Sequence, residues 1–513
     1  MTILLGLDLG TSGVKAIAMT PEGEALATGY ASFESRVHGA EFEQNPHDWW
    51  ESLLLALADL AASARRPILA DVGAVGFSGH THGLLLADAA GEPVRPVMTW
   101  ADHRATAESA ELRERLDDVF VDRTGNHPME AFTAPKLLWV ARHEPEILAA
   151  TRRFCLPKDW LRWRLTGEWA TDPSDAASTL FFDLSRQIWD EELIDASGGK
   201  ADVFPKILPS GSVAGRISPE AACATGLPVG IPVAAGGSDV ACAALGAGII
   251  EAGATYVNVG TACQVLTATD APRPGSHYVF QHVVPGRFLA MGSLFAAGLS
   301  LRWFAERFAA DEREAAKRES ISVYRILDRL AAPVPPGADG LLYLPYLDGG
   351  SIPHPDALAR GAFIGLSPHH GAPEVVRAIL EGVGFGIADI LVSFRRARLP
   401  LTDVRLGGGA ADSELWTSIL ASIFGMPLTV LERGASPVAA AILAGVAAGE
   451  FRDFPDGVAA CVRLAPRLEP DPALASFYQE GYRLYAGLYD RLAPVFHDLR
   501  ALRWGNEGTA GTT

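Results

Sequence analysis

The chain is poor in cysteine, with five in 513 residues: Cys155, Cys223, Cys242, Cys263 and Cys461. They are scattered and odd in number, and no CxxC pair occurs. Neither a disulfide framework nor a paired-cysteine zinc site is therefore indicated. Basic residues are also scarce. Forty-three Lys and Arg stand against sixty-one Asp and Glu, a net charge of −18. With no Lys/Arg cluster to offset it, that charge argues against nucleic acid or an anionic membrane as partner. Long hydrophobic runs are missing too. The longest candidates, such as Val438–Gly449, are small-residue stretches of about a dozen, short of the ~20 a bilayer span needs. Asp8 and Lys15 interrupt the apolar start, so no signal peptide is expected and the cytoplasm is the expected location.

Several catalytic fingerprints are absent as well. Without GxxxxGK[ST] the chain is no P-loop NTPase, and without GxGxxG it lacks the dinucleotide fingerprint. GxSxG and HExxH do not occur, which removes support for the corresponding serine hydrolases and zinc proteases. His80-Thr81-His82 has two histidines on alternate positions, but no third ligand is in view, and polar pocket residues are the simpler reading.

What is present is an ordinary globular composition, 49% apolar and 20% charged. At roughly 100–200 residues per domain this length allows about two to four domains. Ile3–Leu9 reads as a strand, Gly10-Thr11-Ser12-Gly13 as a tight turn and Val14–Met19 as a returning strand. A helix follows over 46–64, with Trp49, Leu53, Leu54, Leu57 and Leu60 on one face, and then a short buried strand over Val72–Phe77. Gly236-Gly237-Ser238-Asp239 leads into a helix of small residues. After it the opening pattern restarts: Thr255–Val259, Gly260-Thr261, then Cys263–Leu266, with Asn258 where the first copy has Asp8. A weak internal duplication places a boundary near 248, giving an N-terminal domain over 1–247, a C-terminal domain over 248–505 and a polar tail over 506–513.

The glycine turns carry the chemistry. Gly10-Thr11-Ser12-Gly13 lets backbone N–H groups face one concavity, a nest suited to phosphate oxygens, with the Thr11 and Ser12 hydroxyls as further donors. Lys15 adds a cation there or is merely solvated. Asp8, at the strand end, is placed to hold Mg²⁺ as a hard oxygen ligand. One such turn by itself is equally an ordinary hairpin with a surface aspartate. Two more glycine turns, at Gly260-Thr261 and Gly407-Gly408-Gly409-Ala410, follow strands in the same way. Asp239 could take a proton from an attacking hydroxyl, or could simply cap the helix it opens.

Together these residues resemble the FGGY carbohydrate kinases of the actin/hexokinase/heat-shock-ATPase superfamily. The resemblance covers nearly the whole chain. Gly6–Lys15 matches the family's first phosphate motif. Phe132–Val140 fits its first signature, and Gly361–Leu366 with Glu374-Val375 and Ala378–Glu381 fits the second. Leu156-Pro157-Lys158-Asp159, Leu165–Glu168 and Ser174-Asp175-Ala176-Ala177 are similar to segments typical of its pentulose-kinase members.

The resemblance implies an α/β, two-domain actin-like ATPase (ribonuclease H-like) fold with a central cleft. It implies ATP and Mg²⁺, with Asp239 as catalytic base and Asp8 at the metal. Gly10, Thr11, Ser12, Lys15, Gly260, Thr261, Gly408 and Gly409 fall to the nucleotide, and Ser413 is counted with them. Thr81, His82, Trp100, Asp102 and Val240 fall to the sugar. The implied reaction is phosphorylation of the terminal hydroxyl of a pentulose, D-xylulose giving D-xylulose 5-phosphate. A kinase for another ketose, a deoxy sugar or a polyol is the near alternative, and a nucleotide-switched actin-like binding protein the distant one. The expected partners are a small-molecule sugar and ATP, with no nucleic acid or membrane and a homodimer as the candidate assembly. Departures fall on the sugar side: His80-Thr81 stands where pentulose kinases usually read Gln-Met, Val240 where they have Asn, and Gly349-Gly350-Ser351 where they have Gly-Glu-Arg.

Overall fold

The computed structural model describes residues 2–501, so the tail expected over 506–513 lies outside the described residues. The chain forms two compact units. The first comprises Met1–Ala252, Ala268–Ala290 and Arg433–Arg463, and the second Gly253–Thr267, Met291–Glu432 and the chain from Leu464 onward. Among the described residues no helix is long and apolar enough to cross a membrane.

The first unit is built on a seven-stranded sheet. Its strands are β1 (Ile3–Leu9), β2 (Gly13–Met19), β3 (Ala25–Ser32), β4 (Val72–Gly79), β5 (Val213–Arg216), β6 (Pro232–Ala234) and β7 (Gly237–Ser238). They lie in the order β5-β6-β4-β1-β2-β3, with β7 paired to β4. β1 and β2 form the antiparallel hairpin read from the sequence, with Asp8 directly opposite Lys15. β4 runs parallel to β1, placing Ser78 opposite Asp8. β1 is buried along its whole length, as a strand covered on both faces must be. Helix α1 (Pro46–Ser63) begins at a pre-organised proline, its N-cap Asn45 accepting from the His47 N–H. It buries Trp49, Leu53, Leu57 and Leu60 in the core shared with Leu7, Val14 and Phe77.

Two late segments belong to this first unit, so the units do not follow the contiguous division at 247/248 expected from the sequence. The helix Ala435–Ala448 lies on β1 and β4. It comes so close that a Cβ on Gly6 would stand 2.8 Å from the Ala441 nitrogen, and one on Gly76 2.9 Å from the Ala444 nitrogen. Glycine in the strands and alanine in the helix make that approach possible, and no local pattern announces it. The segment 268–290 is held by Asn126, whose amide donates to the Val279 carbonyl at 2.7 Å and whose carbonyl accepts from the Val279 N–H at 2.9 Å. Gly76→Ala should therefore lower stability by about 1–3 kcal/mol through overpacking. A shift of the urea midpoint without change in slope checks it; an unchanged midpoint would mean that the helix can move aside.

The second unit repeats the hairpin. β8 (Ala254–Val259) pairs antiparallel with β9 (Cys263–Thr269). On its other side β8 pairs parallel with β10 (Asp403–Gly408), which pairs parallel with β11 (Leu428–Val430). Asn258 stands opposite Gly407 as Asp8 stands opposite Ser78. The duplication read from the sequence is thus a duplication of a hairpin plus one parallel strand.

Candidate functional site

In the first unit three parallel strands end side by side. Asp8 of β1 and Gly237 of β7 both pair with Ser78 of β4, and Ser238 pairs with Gly79. The segments that leave these ends are the 10–13 turn, the 79–83 turn and the helix α2 (Asp239–Gly246). Functional groups in α/β sheets gather at such carboxyl ends, because the chain there leaves the sheet with its N–H groups and side chains free to face a ligand.

Asp8 is buried, and Ser78 Oγ donates to its Oδ1 at 2.7 Å. Burial raises its carboxyl above the usual range, opposed by the Ser78 bond and by the charge of Lys15 across the hairpin. Asp239 is the first residue of α2. Its Oδ1 accepts from the Val240 N–H at 2.8 Å. The helix cap is Ser238, whose Oγ accepts from the Ala241 N–H at 3.2 Å. This settles the choice left open by the sequence: Asp239 is not the cap. Burial pushes its carboxyl up to about 7, the charge of Asp8 adding to the effect and backbone N–H bonds, including that from Val240, opposing it. A carboxylate held near neutrality is suited to accept a proton.

The 10–13 turn closes through a bond from the Gly10 N–H to the Gly13 carbonyl at 3.0 Å. The Thr11 carbonyl accepts from Gln44, and Thr11 Oγ1 accepts from the Trp100 indole at 3.0 Å. Ser12 and Lys15 are exposed. In the 79–83 turn Thr81 is buried and His82 takes a left-handed backbone, with φ of 65°. The His82 Nδ1–H donates to the Ser178 carbonyl at 2.6 Å, leaving Nε2 as an acceptor. Burial pushes its pKa down to about 3, so the ring is neutral. Beneath it Lys136 donates to the His82 and Ala131 carbonyls, at 3.0 and 2.6 Å, and burial lowers its ammonium to about 7. His80 is wholly buried, edge-on to Trp49, and held neutral with a pKa of about 4 by burial.

Trp100 is 42% exposed, whereas Asp102 is 0% exposed. Its Oδ2 accepts from the Phe42 N–H at 2.8 Å and pairs with Arg104 at 2.7 Å, and its Oδ1 accepts from Arg104 Nε at 2.9 Å. Asp102 therefore braces the loop, with both carboxylate oxygens engaged by Phe42 and Arg104. Val240 is 5% exposed and stands beside the more open Asp239.

In the second unit Gly260-Thr261 and Gly408-Gly409 stand at the ends of the neighbouring parallel strands β8 and β10, with Val259 opposite Gly408. The carbonyls of Gly260 and Thr261 accept from the N–H groups of Gly298 and Leu299, both at 2.9 Å, at the start of α3 (Gly298–Arg307). Gly408 has φ of 78°, and a Cβ there would lie 2.8 Å from Asn258 Oδ1. Only glycine fits both constraints. Ser413 differs from expectation. Its Oγ caps the helix α4 (Glu414–Phe424), accepting from the Trp416 N–H at 3.0 Å, and its hydroxyl also bonds Asp328. The side chain is thus committed within the fold.

The sequence reading did not single out Ser78, Lys136, Lys158, Asp172 or Ser174. Three of them, Lys136, Lys158 and Ser174, sit in motifs noted for resemblance alone, Phe132–Val140, Leu156–Asp159 and Ser174–Ala177. The contacts that matter at the site, Ser78 to Asp8, Lys136 to the His82 carbonyl and the Ser238 N–H to Ser174, join residues far apart in the chain, so no spacing rule could have found them.

A sheet with paired hairpins, acidic groups at strand ends and glycine turns in both units is the architecture of an actin-like ATPase. The chain belongs to the FGGY family of carbohydrate kinases: that family's N-terminal domain matches residues 3–246 and its C-terminal domain residues 255–448. It is an enzyme of the kinase class with the two-domain fold of that family. Among relatives it is 34% identical over 508 residues to the xylulose kinase of Bacillus subtilis (strain 168), covering 98% of this chain and 100% of that one. The crystal structure of xylulose kinase from Rhodospirillum rubrum superposes with a TM-score of 0.88 at 31% identity, covering 96% and 100% of the two chains. A relative with a different name, the autoinducer-2 kinase of Escherichia coli (strain ATCC 8739), is 30% identical over 533 residues, covering 98% and 97%.

Proposed function

We propose that this enzyme transfers the γ-phosphoryl group of ATP to the terminal hydroxyl of a pentulose, D-xylulose giving D-xylulose 5-phosphate. The observation that carries the reading is the Asp239 carboxyl, raised to about 7 at a strand end beside Asp8, in a chain similar to xylulose kinases over their whole length. Asp239 accepts the proton of the sugar hydroxyl as the oxygen attacks phosphorus. Thr81, His82, Trp100 and Val240 are the residues we place around the sugar. His82 presents Nε2 as an acceptor for a sugar hydroxyl, since its Nδ1–H is already spent on Ser178. Gly10, Thr11, Ser12 and Lys15 receive phosphate oxygens in the first unit, and Gly260, Thr261, Gly408 and Gly409 receive the nucleotide in the second. Asp8 fits a hard divalent cation: it is a carboxylate fixed by one hydroxyl, its remaining oxygen suited to Mg²⁺ or a metal-bound water. Mg²⁺ bound there would neutralise charge on the phosphates. The reaction is placed in the cytoplasm, and a homodimer remains the candidate assembly.

A coupled assay for sugar-dependent ADP release across pentuloses, deoxy sugars and polyols tests the reading. D-xylulose should give the highest kcat/KM. A polyol or a deoxy sugar in first place would keep the mechanism and replace the substrate, a reading favoured by the altered 80–81 pair. ADP release that no sugar stimulates would favour the nucleotide-switched protein.

The pH profile is a second check. Below about pH 7 Asp239 holds a proton and cannot accept another, so kcat/KM should fall about tenfold per unit on the acid side. A flat profile from pH 5 to 8 would remove Asp239 as the titrating base.

A further inference from the structure

Asp239 is tied to a buried charge network through the residue before it. The Ser238 N–H donates to Ser174 Oγ at 3.0 Å, and that hydroxyl donates to Asp172 Oδ2 at 2.5 Å. A hydroxyl has one proton, so its orientation is forced: it receives from the Ser238 backbone and gives to the carboxylate. Asp172 Oδ2 also accepts from the Ser174 N–H at 2.9 Å and from Ser210 Oγ at 2.8 Å. Asp172 Oδ1 is paired with Lys158 Nζ at 3.0 Å. Lys158, Asp172 and Ser174 are all wholly buried.

Lys158 reaches both sides of the site. It also pairs with Asp159 at 2.7 Å and Asp175 at 3.3 Å. Its stem lies beneath two backbone segments: a Cβ on Gly79 would come within 2.6 Å of Lys158 Cβ, and one on Gly236 within 3.5 Å of its Cδ. The first segment leads to Thr81 and His82, the second to Asp239. Buried ions of this kind are costly to maintain and poor sources of stability. Their geometric effect here is specific, since they fix the backbone one residue before the base. A displacement of about 1 Å in a reacting group can cost on the order of 10²-fold in rate.

We propose that Ser174, held by Asp172 and Lys158, is a positioning residue for the base: it locks the Ser238 N–H and so sets where the Asp239 carboxylate stands. The inference rests on the reading of Asp239 as the base. The test compares Ser174→Ala, Ser210→Ala and Asp239→Asn in the full-length enzyme with D-xylulose and MgATP, or with the best sugar of the panel. Ser210 shares the Asp172 oxygen, whereas the Ser238 N–H is held by Ser174. Ser174→Ala should lower kcat about 10–100-fold with both KM values within about twofold, while Ser210→Ala keeps kcat within about twofold. A merely structural role would instead raise KM and lower the melting temperature in both variants alike, and that result would overturn the inference. So would normal turnover in Ser174→Ala beside an inactive Asp239→Asn, with the base assignment left standing. Substantial turnover in Asp239→Asn would overturn the base assignment and this inference together.

Discussion

Asp239→Asn should lower turnover by about 10²–10⁴-fold, the usual worth of a general base. Asparagine keeps the size of the side chain but cannot accept the hydroxyl proton. The fold should not suffer. Ser238, not Asp239, caps α2, so the helix start survives the change. Stability should even improve at high pH. The folded-state pKa of Asp239 is raised, from 3.8 to about 7. Between those values the folded protein keeps a proton that the unfolded chain has released, so this group's contribution to stability declines as pH rises through that window. Above it, the wild type carries a partly desolvated charge that asparagine does not. The melting temperature of the variant at pH 8 should therefore equal or exceed that of the wild type, with sugar binding retained by calorimetry. Near-normal turnover would remove Asp239 from the mechanism, and a collapsed melt would show that its carboxylate supports the fold.

Asp8→Ala should lower kcat/KM for MgATP on the order of 10²–10³-fold, since the phosphates lose their carboxylate-held cation. Sugar affinity should be nearly unchanged, because Thr81, His82 and Trp100 belong to other segments. A second consequence follows from electrostatics. The charge of Asp8 is the second cause of the raised pKa of Asp239, after burial. Without it, the acid limb of the residual activity should move below pH 7. Loss of sugar affinity with MgATP kinetics intact would reverse the assignment of the β1–β2 hairpin. An unmoved acid limb would mean that the two carboxylates do not sense each other.

Much of this was legible in the sequence where the information is local. The hairpin of β1 and β2 follows from an apolar run, a glycine turn and a returning run, and its copy at β8 and β9 from the same order of residue types. Helix α1 follows from Asn45, Pro46 and the spacing of Trp49, Leu53, Leu57 and Leu60. Asp239 was visible because an acid after two glycines opens a helix, although whether it capped that helix was not. Ser238 resolves this, and only the backbone geometry shows that its oxygen reaches Ala241.

The remaining decisions belong to distance in space. Asp102 was assigned through a family resemblance, and Ser413 was counted with the nucleotide contacts; that they spend hydrogen bonds on Phe42 and Arg104, and on Trp416 and Asp328, shows only in the structure. The return of Ala435–Ala448 to the glycine faces of β1 and β4 could not be read, since glycine records permission for a close approach and not the partner that makes it. The same holds for Lys158 and Asp172. A lysine and an aspartate fourteen residues apart look like surface charges in a linear chain, and become a buried pair only once the sheet and its helices remove water from both. Local pattern thus determined the hairpins and placed Asp8 and Asp239 at strand ends, and the resemblance to a known family carried the class of fold. Tertiary structure decided which polar atoms remain free to act, because hydrogen-bond capacity is finite and its allocation is settled only when distant segments meet.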